Sequence, residues 1–143
     1  MRREIIRLTY VFSLALLAAG CGPPKTSDQN LEMVSYERLD AMLNDTGRPT
    51  LLLDIRPVRY YAEAHLPGAV NIPLPDIVKQ DPRLGAAHNI VVYGSHWLDT
   101  LAPAGAKKLI ALGYQNVFLF RGGVEQWQSQ GRAVERSEPA ATN

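Results

Sequence analysis

Ser95, His96 and Asp99 lie in the loop that follows the apolar run NIVVY, and between them they carry the hydroxyl, imidazole and carboxylate of a hydrolytic triad. Geometry makes a triad, and residues this close in sequence rarely point at one another. The stretch GSHWLDT (Gly94, Ser95, His96, Trp97, Leu98, Asp99, Thr100) therefore reads as an irregular, solvent-facing loop. In it, His96 and Trp97 could line a small ligand pocket. Asp54, Arg56 and His65 form a second group of chemical side chains. The chain has 3 histidines and 1 cysteine, which leaves no set with metal-ligand spacing, and no cofactor motif is present. We expect no metal and no cofactor.

The cysteine, Cys21, ends an apolar N-terminal stretch. Arg2, Arg3 and Arg7 make a positive start, LTYVFSLALLAA an apolar run, and Ala18, Ala19 and Gly20 the small residues of an export-signal cleavage site. The run is short for a bilayer span. LLAAGC resembles the lipobox of bacterial lipoproteins, which implies acylation of Cys21 and cleavage before it. The alternative is an ordinary secretory signal with an incidental cysteine. Expected boundaries are a signal peptide over 1–20, a tether rich in proline and small polar residues over 21–30, a folded domain over 31–131 and a poorly ordered tail over 132–143. Removing the signal takes three of 15 basic residues (Arg2, Arg3, Arg7) and one of 14 acidic residues (Glu4), leaving a charge near −1. With no basic run, nucleic acid is not an expected partner. The expected setting is the bacterial envelope, facing the periplasm. The outer membrane is slightly favoured because Gly22, not aspartate, follows the cysteine. The expected partners are the membrane, through the lipid, and an unidentified envelope protein or a small anion.

The elements that position these residues follow from periodicity. Tyr36, Leu39, Met42 and Leu43 recur at helical spacing behind Ser35, a candidate N-cap. TLLLDI, NIVVY and NVFLF are continuous apolar runs, as strands covered on both faces would be. RYYAEAH reads as a short helix, AVNIP as a short strand and LPDIVKQ as a helical turn. LAPAGAKKLIALG reads as a helix ending at Gly113, and GGVEQWQSQG as a closing helix. Strands alternating with helices imply an α/β fold with a parallel sheet covered on both sides. Pro67-Gly68 is a turn signal. The row Arg59, Tyr60, Tyr61 fits either an exposed aromatic–basic patch or a half-buried helix.

Three separated segments resemble the rhodanese-like family: DIRPVRYYAEAHLPGAVNIP, the strand IVVY with its loop and helix, and FRGGVEQW, in family order over residues 31–131. The resemblance implies a three-layer α/β fold with a central, mostly parallel five-stranded sheet and helices on both faces. It also implies an active-site loop at the C-terminal end of a strand. Active members carry a cysteine at the start of that loop, where converging amides and a helix N-terminus favour the thiolate and its attack on a sulfane sulfur. Here that position is Gly94, SHWLDT has no Arg or Lys to hold a substrate anion, and Asp99 adds a carboxylate that can cap the helix. The expectation is a membrane-anchored, non-catalytic binding or regulatory module. The alternatives are a sulfurtransferase-type or hydrolytic enzyme with an unfamiliar nucleophile such as Ser95, and a small-anion-binding domain. Under the resemblance, Asp54, Arg56 and His65 bond to the backbone and to one another at a strand end, and Gly122-Gly123 permits a tight strand-to-helix turn. Trp127 is a core or rim aromatic, and with Pro67 and Gly68 these make up the structural motif.

Overall fold

The computed structural model describes residues 31–137. The sheet runs in the order β1-β5-β4-β2-β3, built from β1 (Glu32–Met33), β2 (Thr50–Asp54), β3 (Val70–Asn71), β4 (Asn89–Tyr93) and β5 (Val117–Phe120). Every pairing in it is parallel. The three apolar runs thus become adjacent central strands, where both faces are covered and polar alternation is absent. β1 has no such signature. Its two residues are exposed at the edge of the sheet, so hydrophobic pattern does not reveal it.

Successive side chains in these strands enter opposite cores. Leu53, Ile90, Val92, Val117 and Leu119 pack with Ala102, Ala106 and Leu109 of α3 (Leu101–Ala111). Leu52, Val91, Tyr93 and Phe120 face the other way. They meet Leu39 and Met42 of α1 (Tyr36–Leu43), and Val124 and Trp127 of α4 (Gly123–Ser129). Helices on both faces give the three layers that the sequence implies. Each fully buried aliphatic, such as Leu39 or Leu109, contributes about 1.5–3 kcal/mol by leaving water. Ser35 caps α1 by accepting from the Arg38 N–H (3.2 Å), and Gly113, at φ +92, ends the chain's path out of α3.

The remaining helix, α2 (Val58–Glu63), is short and carries the Arg59, Tyr60, Tyr61 row. Its residues do not act as one patch. Arg59 and Tyr60 bond to each other in solvent, whereas Tyr61 turns inward, stacks on His65 (3.8 Å) and donates to the Ala69 carbonyl (2.7 Å).

The C-terminal segment departs from the expected poorly ordered tail over the residues described. His65 and Glu135 exchange both backbone hydrogen bonds at 2.9 Å, as an isolated antiparallel bridge. The Ser137 N–H donates to Ala62 (3.1 Å), Trp127 Nε1 donates to Ala133 (2.8 Å), and Val134 packs against the α1–α4 core. Tertiary partners order a segment that has no periodicity of its own. Residues 138–143 and 1–30, the latter holding the expected signal, Cys21 and tether, lie outside the described residues. Among the described residues no helix is long and apolar enough to cross a membrane.

Candidate functional site

β4 delivers the loop at the C-terminal end of the sheet, and α3 carries the chain away from it. Gly94 is buried, Ser95 and Asp99 are half-buried, and His96, Trp97, Leu98 and Thr100 are exposed. Asp99 turns its carboxylate inward. Oδ2 accepts from the Ser95 N–H and Oδ1 from the Leu101 N–H, both at 2.7 Å. The helix-capping position itself falls on Thr100, whose side chain makes no capping bond, so Asp99 serves the first helical amide from one residue further out.

That carboxylate also fills the space beside Gly94. A Cβ at position 94 would overlap Asp99 Oδ2 and come within 2.9 Å of its Cγ, with the Ala102 Cβ at 3.4 Å. The room that a side chain at the head of the loop would need is therefore taken by a charged group of the same loop, with two backbone amides bound to it. Trp97 lines a cleft with Gly122, Glu125, Gln126 and Ser129, and the Arg121 guanidinium lies 5.8 Å from its ring centroid.

The other side of the loop rests on the Gly-Gly turn. Gly123, at φ +58, has a conformation that side-chain-bearing residues rarely adopt, and a Cβ there would overlap the Gly94 carbonyl. This close approach lets the first amides of α4 donate to the loop: Val124 N–H to Gly94 (3.1 Å) and Glu125 N–H to Ser95 (3.0 Å). Backbone carbonyls therefore meet these amides. Gly122 sits in an ordinary helical conformation at the helix cap.

The hydrolytic constellation does not assemble. His96 Nδ1 accepts from the Leu98 N–H (3.2 Å), and both Asp99 oxygens are engaged by backbone amides. Among the described residues, no hydrogen bond joins Ser95, His96 and Asp99 side chain to side chain. A group of three or more His, Cys, Asp or Glu suited to a metal is also absent among them.

Asp54 and Arg56 form a buried ion pair at the end of β2. Arg56 Nε reaches Oδ1 (2.9 Å), Nη2 reaches Oδ2 (2.6 Å), and the Arg56 N–H also donates to Oδ1 (3.0 Å). Arg56 Nη2 further donates to the Ala64 carbonyl (2.7 Å). Asn71 Nδ2 bridges the Asp54 and Arg56 carbonyls at 2.9 Å each. His65 donates through Nδ1 to the Tyr61 carbonyl (2.7 Å), and its Nε2 lies 3.6 Å from Glu135 Oε2. Tyr93 accepts from the Leu66 N–H (3.1 Å); burial, reinforced by the Asp54 charge, pushes its phenol up. Leu66-Pro67-Gly68-Ala69 is a turn closed by Ala69 N–H to Leu66 O (3.1 Å), with Gly68 at φ +71 as its third residue requires. Trp127 is buried against Tyr36 (5.9 Å between ring centroids). These groups satisfy one another.

Sequence reasoning missed several contributors. Glu135 binds the Gly68 N–H (3.0 Å) from far along the chain, with no local signal. Asn71 and Tyr93 sat inside strand patterns that advertise burial, not bonding. Arg121 had a signal, its place beside the Gly-Gly turn, but its contact with Trp97 requires the loop's path.

A parallel α/β sheet whose fourth strand opens into a loop seated on a Gly-Gly turn defines a rhodanese-type domain. The chain belongs to the rhodanese-like domain family, whose model matches residues 35–130. It is 31% identical over 99 residues to the adenylyltransferase and sulfurtransferase uba4 of Ogataea parapolymorpha, covering 69% of this chain and 24% of that protein. It is 28% identical over 95 residues to the HTH-type transcriptional regulator Rv0324 of Mycobacterium tuberculosis, covering 66% of this chain and 41% of that one. The alignments thus take in well under half of either relative. Among solved structures, a thiosulfate sulfurtransferase from Pseudomonas aeruginosa superposes with a TM-score of 0.63 at 22% identity, over 80% of this chain and 22% of that one. A rhodanese-like domain from Anabaena sp. gives 0.61 at 24% identity, over 78% and 86%. At these identities the structures speak for the fold, and the fold is related to that of sulfurtransferases.

Proposed function

We propose that this domain is a non-catalytic rhodanese-like binding module, held at the membrane of the bacterial envelope through an acylated Cys21. The observation that carries the non-catalytic reading is the Asp99 carboxylate beside Gly94. Sulfur transfer in this fold needs a thiolate that accepts the sulfane sulfur of thiosulfate while sulfite leaves. Here the thiol position has no side chain, and its space and amides are taken by an anion that repels both thiolate and thiosulfate. The same arrangement weighs against the small-anion reading, because Asp99 already holds the Ser95 and Leu101 amides. It weighs against Ser95 as nucleophile as well, since His96 Nδ1 is turned to Leu98.

The test is direct. The purified full chain, mixed with thiosulfate and cyanide, is expected to form thiocyanate no faster than a protein-free blank. Turnover well above that blank would overturn the proposal.

A further inference from the structure

The tip of the 94–100 loop leaves two consecutive apolar side chains in solvent, Trp97 at 56% and Leu98 at 78% exposure. The turn beneath them is held firmly. Asp99 ties Ser95 to Leu101, the Leu98 N–H donates to His96, and the Gly94 and Ser95 carbonyls are fixed to α4. Such a tip loses little freedom on binding, as an anchor for a partner requires. Beside it a cleft of about 280 Å³ opens between Trp97 and the α4 surface of Gly122, Glu125, Gln126 and Ser129. Arg121 stacks against Trp97, and Arg121 and Glu125 do not pair with each other.

We propose that this edge is a self-association surface whose occupant is a second copy of this chain. Leu98 of each copy enters the Trp97 cleft of the other, and Arg121 of each faces Glu125 of the other. Knob and cleft adjoin on a single face, as a two-fold interface needs, because there each patch must complement itself. The patch holds one cation and one anion. A two-fold pairing that sets position 121 of one copy opposite position 125 of the other matches each cation with an anion, whereas a strongly acidic or basic partner would find one of them repulsive. The membrane is the less fitting occupant. The loop lies at the C-terminal ends of the strands, while the expected tether joins the domain at the N-terminal end of β1, on the opposite side. The apolar area offered is small, so the pairing is weak in free solution and is populated when copies share one bilayer. The inference rests on the anchored binding-module reading; flotation of the labelled chain with liposomes decides the anchor separately, and the thiocyanate measurement decides catalysis.

The experiment uses full-length chain carrying donor or acceptor dye, anchored in phosphatidylcholine liposomes. Energy transfer is expected to exceed that of random encounter. Arg121→Glu alone and Glu125→Arg alone should each lower surface association at least roughly tenfold, because each sets like charges face to face. Mixing the two single variants should restore transfer, since each then presents the charge the other lacks. Leu98→Asp should abolish transfer in every combination. Transfer at the random level in the unaltered chain overturns the proposal, as does failure of the mixed variants to restore it. A blue shift of tryptophan emission on liposomes that Trp97→Phe removes, seen without energy transfer, would assign the tip to lipid and overturn it equally.

Discussion

Gly94 and Asp99 act as a coupled pair, and the coupling is steric before it is electrostatic. Gly94→Cys alone forces a Cβ into the Asp99 carboxylate and is expected to cost about 1–3 kcal/mol in a urea melt without yielding a persulfide. Gly94→Cys combined with Asp99→Gly removes both overlap and repulsion. The double variant should regain stability over the single one and bind sulfane sulfur detectably by mass spectrometry. Additive stability losses in the two single variants would show that the sites are not coupled. The Asp54–Arg56 pair makes the opposite kind of prediction, since it is buried and fully bonded. Arg56→Ala strands a carboxylate in the core and should cost about 3–5 kcal/mol in the same melt, while Arg56→Lys, which keeps the charge but loses the fork, should cost less. A change of under 1 kcal/mol for the alanine variant would contradict a structural role.

The elements divide by how local their causes are. The helices α1 and α3 and the strands β2, β4 and β5 are legible because each carries its own local signal: helical periodicity behind a serine cap in α1, a terminal glycine after α3, and a continuous apolar run in each strand. β1 and the 132–137 segment are not legible, because neither carries a pattern. One is defined by pairing with Phe118 and Leu119 of β5, the other by backbone bonds to His65. The latter behaves as a strap across the turn that follows α2. Glu135→Ala removes the acceptor of the Gly68 N–H and is expected to destabilise by about 1 kcal/mol. Amide exchange at Gly68 should quicken while exchange in β4 stays slow. Unchanged protection at Gly68 would mean that the backbone bridge alone holds the strap.

At the scale of the whole molecule, the 94–100 loop lies at the C-terminal ends of the parallel strands, and the described chain enters the sheet at the N-terminal end of β1. The proposed anchor at Cys21 has its own test. Labelled palmitate supplied to a bacterial host is expected to enter the full chain and to be lost in Cys21→Ser. Incorporation that survives the substitution would remove Cys21 as the anchor. The sequence by itself determined the central strands with the helices between them, the family and the absence of a thiol at Gly94, because each is written in residue type and local spacing. It also placed a carboxylate in the loop without saying where that carboxylate points. Only the tertiary structure decided that Asp99 turns inward to fill the space beside Gly94, that Gly123 brings α4 against the loop, and that Glu135 reaches back to Gly68. The physical reason is the same in each case: these contacts join residues through close approaches of backbone, and such approaches exist only once the sheet, its covering helices and the strap are packed together.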